Sequence, residues 1–316
     1  MKILANDGIA QSGIDALSKS GFETINTHVA QEQLISFINE HQITGLLVRS
    51  ATQVGKNVID GCKSLRLIGR GGVGMDNIDV AYAKAKGLHV INTPAASSES
   101  VAELVFAHLY GGVRFLYDSN RNMPLEGDSN FKQLKKAYAT GTELRGKTLG
   151  IIGFGKIGQA TAKIALGAGM KVVYCDPEIA ACTLTLHFFD QQEISFKLTS
   201  ESKSNVLRNS DFISIHVPHQ KDYVLGTDEF EEMKDGVGIV NAARGGVLDE
   251  VALINALENK KVAFAALDVF ESEPNPEIKI LMHPNISLSP HIGAATLEAQ
   301  ERIGLELASQ IITLLK

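Results

Sequence analysis

Lys147-Thr-Leu-Gly-Ile-Ile-Gly153-Phe-Gly155-Lys-Ile-Gly158 joins an apolar strand pattern to Gly-x-Gly-x-x-Gly and then to a helical pattern. Gly153 permits the tight turn between strand and helix, Gly155 lets backbone N–H groups approach a pyrophosphate, and Gly158 allows the helix to pack closely on the strand. The N-terminus of that helix then faces the phosphate charge. This setting predicts a dinucleotide site, with Lys156 and Ile157 in its phosphate loop.

A second apolar strand pattern, Lys171-Val-Val-Tyr-Cys-Asp176, ends in an acid eighteen residues after Gly158. A carboxylate at this distance is expected to accept hydrogen bonds from the adenosine ribose hydroxyls, and an aspartate there favours NAD over NADP. An ordinary glycine-rich turn in an α/β protein is the alternative. Strand, glycines, helix and acid together favour an NAD site.

Length, composition and net charge limit the number of domains and the kinds of partner that the chain can have. The chain has 316 residues, 44% of them hydrophobic, and a formal net charge of −6. The length favours about two domains, and the acidic balance provides no electrostatic footprint for nucleic acid or an anionic membrane. An anionic substrate must therefore be held by a local cluster of bases. With no signal peptide and no apolar run that could span a bilayer, we expect a cytoplasmic protein.

The three cysteines have neither metal-ligand spacing nor the density of a disulfide scaffold. Core packing accounts for them, and Cys175 lies inside a strand pattern. No other ligand spacing implies a metal, so we expect none.

Short apolar runs alternate with helical patterns along most of the chain, which indicates βαβ units and parallel sheets. The spacing of Ser100 and Glu103 predicts a capping box at the start of a long apolar helix, where we expect the chain to cross between domains. A second strand series follows the glycine-rich turn. The predicted fold class is α/β, with two doubly wound parallel-sheet domains. A final helix carries apolar residues on one face, namely Ile303, Leu307, Ile311 and Leu315.

Four further motifs occur in a fixed order along the chain. They are Gly69-Arg70-Gly-Gly-Val-Gly74-Met-Asp-Asn77, Asn241-Ala-Ala-Arg244-Gly-Gly, Ala266-Leu-Asp268-Val-Phe-Glu-Ser-Glu273-Pro and Ser289-Pro-His291-Ile-Gly-Ala. Together with the glycine-rich turn they resemble the D-isomer-specific 2-hydroxyacid dehydrogenases over nearly the whole chain. Within that family the motifs are most similar to those of the phosphoglycerate dehydrogenases, here without a C-terminal regulatory domain.

The resemblance implies a particular layout. A flavodoxin-like substrate-binding domain is expected over residues 1–98 and 288–316, and a Rossmann NAD-binding domain over 99–287, with a cleft between them. Relatives dimerise through the nucleotide domain, so we expect a homodimer. Because no regulatory domain follows Lys316, we also expect no serine feedback inhibition through such a domain.

Oxidation of a secondary alcohol requires a base for the hydroxyl proton while hydride passes to the nicotinamide. Histidine suits this task because its ordinary pKa lies near 6.5. By resemblance the base is His291, and Glu273 bonds its imidazole and favours the protonated form, which is the acid in the reductive direction. Arg244 follows a strand end and is implied to bind the substrate carboxylate. Solvated surface charges are the alternative interpretation of Arg244 and Glu273.

The resemblance also implies contact residues. Asp268 matches the family's acid near the nicotinamide carboxamide. The expected cofactor-binding set is Gly153, Gly155, Lys156, Ile157, Gly158, Asp176, His216, Val217, Pro218, Ala242, Arg244, Asp268, His291 and Gly293. A terminal phosphate on the substrate would need bases beyond Arg244, and the expected substrate-binding set is Arg49, Ser50, Arg70, Gly71, Gly72 and Lys136, the last in a region that relatives contribute from the partner subunit.

The leading hypothesis is NAD-dependent oxidation of 3-phospho-D-glycerate to 3-phosphohydroxypyruvate, the first step of L-serine synthesis. A hydroxypyruvate or glyoxylate reductase, or another D-2-hydroxyacid dehydrogenase, would use the same Arg244, Glu273 and His291 without the phosphate cluster. A dinucleotide-sensing protein like the family's corepressors is a third interpretation. A formate dehydrogenase is disfavoured because its histidine partner is usually glutamine. The segment Leu184 to Lys203 fits the family pattern poorly, which leaves the adenosine-side loop unassigned.

Overall fold

The computed structural model describes residues 1–316, which divide into two compact units. The first unit comprises Met1–Ser100 and Ala294–Lys316, and the second comprises Val101–Gly293. The sequence-based division places residues 288–293 with the first unit, whereas the structure groups them with the second. The reason is that Ile286–Leu288 is a strand of the second sheet, and the N–H groups of Ile292 and Gly293 donate to Asp268.

The first unit contains a five-stranded parallel sheet in the order β2-β1-β3-β4-β5, which is the flavodoxin-like order. Its strands are β1 Lys2–Ala5, β2 Glu23–Ile25, β3 Ile43–Val48, β4 Leu67–Arg70 and β5 His89–Asn92. Its helices are α1 Gln11–Lys19, α2 Leu34–Glu40, α3 Lys56–Gly61, α4 Val80–Ala85 and, after the chain returns, α13 Leu297–Leu315.

Helices cover both faces of this sheet. Leu4, Leu46 and Ile68 face α2 and α3, whereas Ile3 and Leu67 face α1 and α13. The apolar face predicted for the last helix is confirmed, because Ile303, Leu307, Ile311 and Leu315 are all buried. At Gly13 a Cβ would lie 2.7 Å from the carbonyl oxygen of Gly304, so α1 and α13 meet backbone to backbone.

The second unit contains a six-stranded parallel sheet in the order β13-β12-β11-β10-β6-β7. Its strands are β6 Thr148–Ile152, β7 Lys171–Cys175, β10 Phe212–Ile215, β11 Val237–Asn241, β12 Val262–Leu267 and β13 Ile286–Leu288. The strand order reverses between β6 and β10, and ligands of doubly wound sheets bind at such a point. The predicted fold class, α/β with two doubly wound parallel-sheet domains, is confirmed.

Nine helices, one of them a single 3-10 turn, belong to the second unit. They are α5 Ser98–Val113, which begins in the first unit, α6 Leu116–Glu126, α7 Phe131–Ala137, the 3-10 helix Tyr138–Thr140, α8 Lys156–Gly167, α9 Lys203–Asn209, α10 Thr227–Glu232, α11 Glu250–Glu258 and α12 Ile278–Leu281. The predicted capping box is wrong, because α5 begins at Ser98 and Ser100 lies in its first turn. None of the helices is long and apolar enough to cross a membrane.

The segment that fitted the family pattern poorly is an antiparallel hairpin. Its strands are β8 Ala181–His187 and β9 Glu193–Thr199, and their alternating Leu, Ile and Phe residues suit a sheet with one covered face. A single parallel bridge joins Ser200 to Tyr174 of β7. The hairpin therefore stands at the edge of the second sheet, next to the strand that ends in Asp176.

Candidate active site

The glycine-rich turn lies where β6 enters α8. Gly153 has a φ of 90°, a left-handed value that favours glycine, and a Cβ there would lie 2.5 Å from the carbonyl oxygen of His216. A Cβ at Gly158 would overlap the carbonyl oxygen of Gly153, whereas a Cβ at Gly155 would meet nothing within 4 Å. Gly153 and Gly158 are thus required by the protein's own packing. Gly155 leaves open space at the N-terminus of α8, and Lys156 and Ile157 form the first turn of that helix.

Asp176 closes the turn from the end of β7. Its Oδ2 accepts the N–H of Phe154 at 2.6 Å, and its Oδ1 accepts the N–H groups of Glu178 and Ile179 at 2.8 and 3.0 Å. A carboxylate can accept about four hydrogen bonds, so capacity remains for a ribose hydroxyl. The open space at Gly155, the helix N-terminus and this carboxylate fit an adenine dinucleotide.

His216, Val217 and Pro218 follow β10 on the other side of the strand reversal. The Nε2 of His216 lies 2.9 Å from Ser214 Oγ, and Nδ1 is buried without a partner. Although the residue as a whole is half-buried, its ring is enclosed, and burial lowers the pKa of His216 to about 3. The ring is therefore neutral at ordinary pH.

Arg244 sits in a loop that begins with Ala242, directly after β11. Asn241 shapes this loop, since its Oδ1 accepts the N–H of Ala243 at 3.1 Å and its Nδ2 donates to the carbonyl of Arg244 at 2.9 Å. The Nη1 of Arg244 donates to the carbonyl of Ala243 at 2.6 Å. A Cβ at Gly245 would overlap the carbonyl of Phe270, so the loops that carry Arg244 and Glu273 touch.

His291 and Glu273 are hydrogen-bonded to each other. The imidazole Nδ1 lies 2.8 Å from Glu273 Oε2, while Oε1 of the same carboxylate accepts the N–H of Phe270 at 3.0 Å. Both side chains are about two-fifths exposed. The carboxylate therefore fixes Nδ1 as the protonated nitrogen and leaves Nε2 available to a ligand.

Asp268 lies behind this pair and is buried. Its oxygens accept the N–H groups of Ile292 and Gly293, both at 2.8 Å, and the hydroxyl of Ser289 at 2.6 Å. These bonds hold the turn that carries His291, whose φ of 54° is left-handed. Asp268 thus has a clear role in shaping the turn.

Arg49 and Ser50 belong to the first unit, in a loop directly after β3. Asp7 accepts the N–H of Arg49 at 2.6 Å and the hydroxyl of Thr52 at 2.6 Å, and Asn77 donates to the carbonyls of Arg49 and Thr52. The guanidinium Nη2 of Arg49 donates to Gln300 Oε1. Burial lowers the pKa of Arg49, and the neighbouring charge of Asp7 opposes that change. An arginine so placed remains charged.

Arg70, Gly71 and Gly72 lie at the end of β4, the strand next to β3. A Cβ at Gly72 would collide with the Arg70 guanidinium, and one at Gly71 would lie 3.2 Å from Ile303. Lys136 lies in the last turn of α7 in the second unit, where its side chain is exposed and joins no ion pair. No group of three or more His, Cys, Asp or Glu side chains is placed to hold a metal ion.

Five supporting residues were missed from the sequence. Asp7 and Asn77 hold the backbone of the Arg49 loop, and Gln300 accepts a hydrogen bond from the Arg49 guanidinium. Ser289 bonds Asp268, and His108 bonds Ser289. Asp7 follows a strand end and Asn77 and Ser289 lie inside recognised motifs, so a signal existed for these three. Nothing in the pattern around His108 or Gln300 distinguishes them from other helical residues.

Comparison with known proteins assigns the family. Residues 106–293 match the model of the D-isomer specific 2-hydroxyacid dehydrogenase, NAD-binding domain. The chain belongs to the D-isomer-specific 2-hydroxyacid dehydrogenase family. As a member of this family it is an NAD-dependent enzyme of D-2-hydroxy acids, and the NAD prediction is confirmed.

Similar proteins differ in their activity. The chain is 40% identical to a hydroxypyruvate reductase of Thermotoga maritima, over 98% of this chain and 97% of that one. It is 38% identical to a D-3-phosphoglycerate dehydrogenase of Archaeoglobus fulgidus, over 100% of this chain but 58% of that one. Its fold is also similar to that of NAD⁺-bound 3-phosphoglycerate dehydrogenase from Entamoeba histolytica, with a TM-score of 0.77 and 26% identity over 100% and 95% of the two chains.

Proposed function

We propose that this enzyme catalyses the reversible, NAD-dependent oxidation of 3-phospho-D-glycerate to 3-phosphohydroxypyruvate, the first step of L-serine synthesis. In the oxidative direction the Nε2 of His291 takes the proton of the 2-hydroxyl group, and Glu273 stabilises the imidazolium through Nδ1. Arg244 binds the carboxylate and polarises the adjacent C2 oxygen. Bound NAD supplies the hydride acceptor. In the reductive direction the imidazolium returns its proton to the C2 oxygen.

The observation that carries the proposal is the setting of Arg49. A 2-hydroxy acid without a phosphate needs one base for its carboxylate, and Arg244 provides it. The first unit presents a second guanidinium, that of Arg49, at the end of β3; Asp7 and Asn77 hold its loop, and Gln300 accepts from the guanidinium itself. A third, Arg70, lies at the end of β4. Two permanent positive charges on neighbouring strand ends suit a phosphate group.

The second candidate is a hydroxypyruvate or glyoxylate reductase. The relative from Thermotoga maritima favours it, because its identity of 40% extends over 97% of its length. The two candidates share the roles proposed for Arg244, Glu273 and His291 and differ only in the need for Arg49 and Arg70.

Initial rates of NADH oxidation with phosphohydroxypyruvate, hydroxypyruvate and glyoxylate separate the candidates. For Arg49→Ala we expect kcat/KM for phosphohydroxypyruvate to fall about 10- to 100-fold, the value of a charge-assisted hydrogen bond. The rates with glyoxylate should change less than about twofold. The matched control is Arg66→Ala, which removes an exposed arginine just before β4, at the opposite end of the strand from Arg70. Equal use of the unphosphorylated acids, unaffected by Arg49→Ala, would establish the reductase instead.

A further inference from the structure

A row of hydrogen bonds begins on α5 and ends at the turn that carries His291. The imidazole of His108 is buried between two hydroxyl groups, with Nδ1 2.9 Å from Ser287 Oγ and Nε2 3.0 Å from Ser289 Oγ. Ser289 Oγ in turn lies 2.6 Å from Asp268 Oδ1. All of these residues belong to the second unit.

The bonds have a single consistent direction. An ionised Asp268 can only accept, so it takes the proton of the Ser289 hydroxyl together with the N–H groups of Ile292 and Gly293. Ser289 Oγ must then accept from Nε2–H of His108, and in a neutral ring Nδ1 accepts from the hydroxyl of Ser287. A neutral imidazole with its proton on Nε2 satisfies both hydroxyl groups. Burial lowers the pKa of His108, and the Asp268 charge opposes that change, so the net direction agrees with a neutral ring.

The turn at the end of the row needs such support. His291 adopts a left-handed φ of 54°, which costs a non-glycine residue roughly 1–2 kcal/mol. Asp268 fixes the two peptide groups that follow His291, and a Cβ at Gly293 would lie 3.1 Å from Asp268 Oδ2. A small shift of Asp268 would therefore move the His291 ring relative to its ligand, and misplacement by about 1 Å can cost 100-fold in rate.

We propose that His108 is a positioning residue for catalysis, acting through Ser289 and Asp268 on the turn that holds His291. The proposal rests on the proposed role of His291 as the acid–base residue. His108 touches neither substrate nor cofactor in this scheme. Its contribution is to orient the Ser289 hydroxyl toward Asp268, so that the carboxylate has one fixed position.

The test compares five variants, one of them His291→Ala, by kcat, KM and melting temperature, using NADH and the best substrate among phosphohydroxypyruvate, hydroxypyruvate and glyoxylate. His108→Leu removes the donor to Ser289 at similar volume, and we expect kcat to fall about tenfold while KM for the acid changes less than about twofold. His108→Gln, which keeps an N–H donor, should recover most of that loss. Ser289→Ala adds no bulk and should reproduce the loss even if His108→Leu folds poorly. Leu109→Ala, a buried neighbour on α5, should lower the melting temperature but leave kcat unchanged.

The outcomes separate this proposal from the one on which it rests. If His291→Ala keeps more than about a tenth of the wild-type kcat, the acid–base role of His291 fails and the positioning role fails with it. If His291→Ala loses about 100-fold or more, while Ser289→Ala and the soluble His108 variants retain wild-type kcat, only the positioning role of His108 is overturned. That role is also overturned if Leu109→Ala loses as much kcat as His108→Leu does. The loss of kcat would then follow from the lowered stability of α5 and not from the missing hydrogen bond.

Discussion

At the scale of single residues, His108 is buried and His216 is half-buried in the second unit, and the two differ in their partners. His108 is hydrogen-bonded through both nitrogens, whereas His216 bonds Ser214 through Nε2 and leaves Nδ1 enclosed without a partner. Protonation of His216 would place a charge where nothing accepts it. This is why burial lowers the pKa of His216 to about 3.

Stability should depend on pH through His216. The unfolded chain binds a proton at this residue below about pH 6.5, while the folded chain does not until about pH 3. The contribution of His216 to the free energy of unfolding is therefore fully present above pH 6.5. It is lost as the pH falls, by at most about 1.4 kcal/mol per pH unit. Urea unfolding between pH 5 and 8 should show a shallower slope for His216→Asn than for wild type. His219→Asn, which removes an exposed histidine nearby, should keep the wild-type slope; equal slopes for both variants would contradict the assignment.

At the scale of elements, the turn between β6 and α8 separates two uses of glycine. Gly158 serves the packing of the protein, because a Cβ there overlaps the carbonyl of Gly153. Gly155 serves the ligand, because its Cβ would enter open space and its φ of −63° suits any residue.

Alanine substitutions at the two glycines should therefore affect different properties, namely stability at Gly158 and NADH binding at Gly155. Gly158→Ala should lower the free energy of unfolding by about 1–3 kcal/mol, the usual cost of overpacking. Gly155→Ala should leave that free energy nearly unchanged and weaken NADH binding by about tenfold or more, since the added methyl occupies the approach to the pyrophosphate. Urea unfolding and NADH fluorescence titration measure the two effects. If the Gly155→Ala variant binds NADH with wild-type affinity, the pyrophosphate does not lie next to Gly155.

Sequence reasoning succeeded for elements with strong local signals and failed where partners are distant. The parallel strands, the glycine-rich turn and the apolar face of α13 follow from periodicity and motif. The start of α5 was misplaced, because two serines near its first turn compete as a cap and the pattern cannot rank them. The β8–β9 hairpin is not predicted from the family pattern, because Leu184 to Lys203 departs from that pattern. Contacts such as Arg49 to Gln300 join residues far apart in sequence, and no local pattern encodes them.

At the scale of the whole molecule, α6 and α7 expose large apolar side chains. Leu116 and Met123, two turns apart on one face of α6, are 62% and 42% exposed, and Phe131 of α7 is 55% exposed. Large apolar side chains on a surface often mark an interface. We propose that two copies of the chain associate through this segment, which the family resemblance also implies.

Light scattering after gel filtration tests the association. We expect the wild type to elute with twice the chain mass of 34.0 kDa, and Leu116→Glu with Met123→Glu to shift the mass toward one chain, because two charges would be buried at the interface. Leu297→Glu is the matched control, since that leucine is 83% exposed on α13 in the first unit and should leave the mass unchanged. A wild type of single-chain mass would refute the dimer.

The division of the chain also sets an order of events during synthesis. The second unit is continuous from Val101 to Gly293, whereas the first unit receives α13 only after that whole segment has been made. Translation at about 5–20 residues per second separates β5 from α13 by roughly 10–40 s. During this interval the sheet face of Ile3 and Leu67 lacks the helix that later covers it. The nascent first unit should therefore be the part of the chain that chaperones protect, while the second unit can fold on the ribosome.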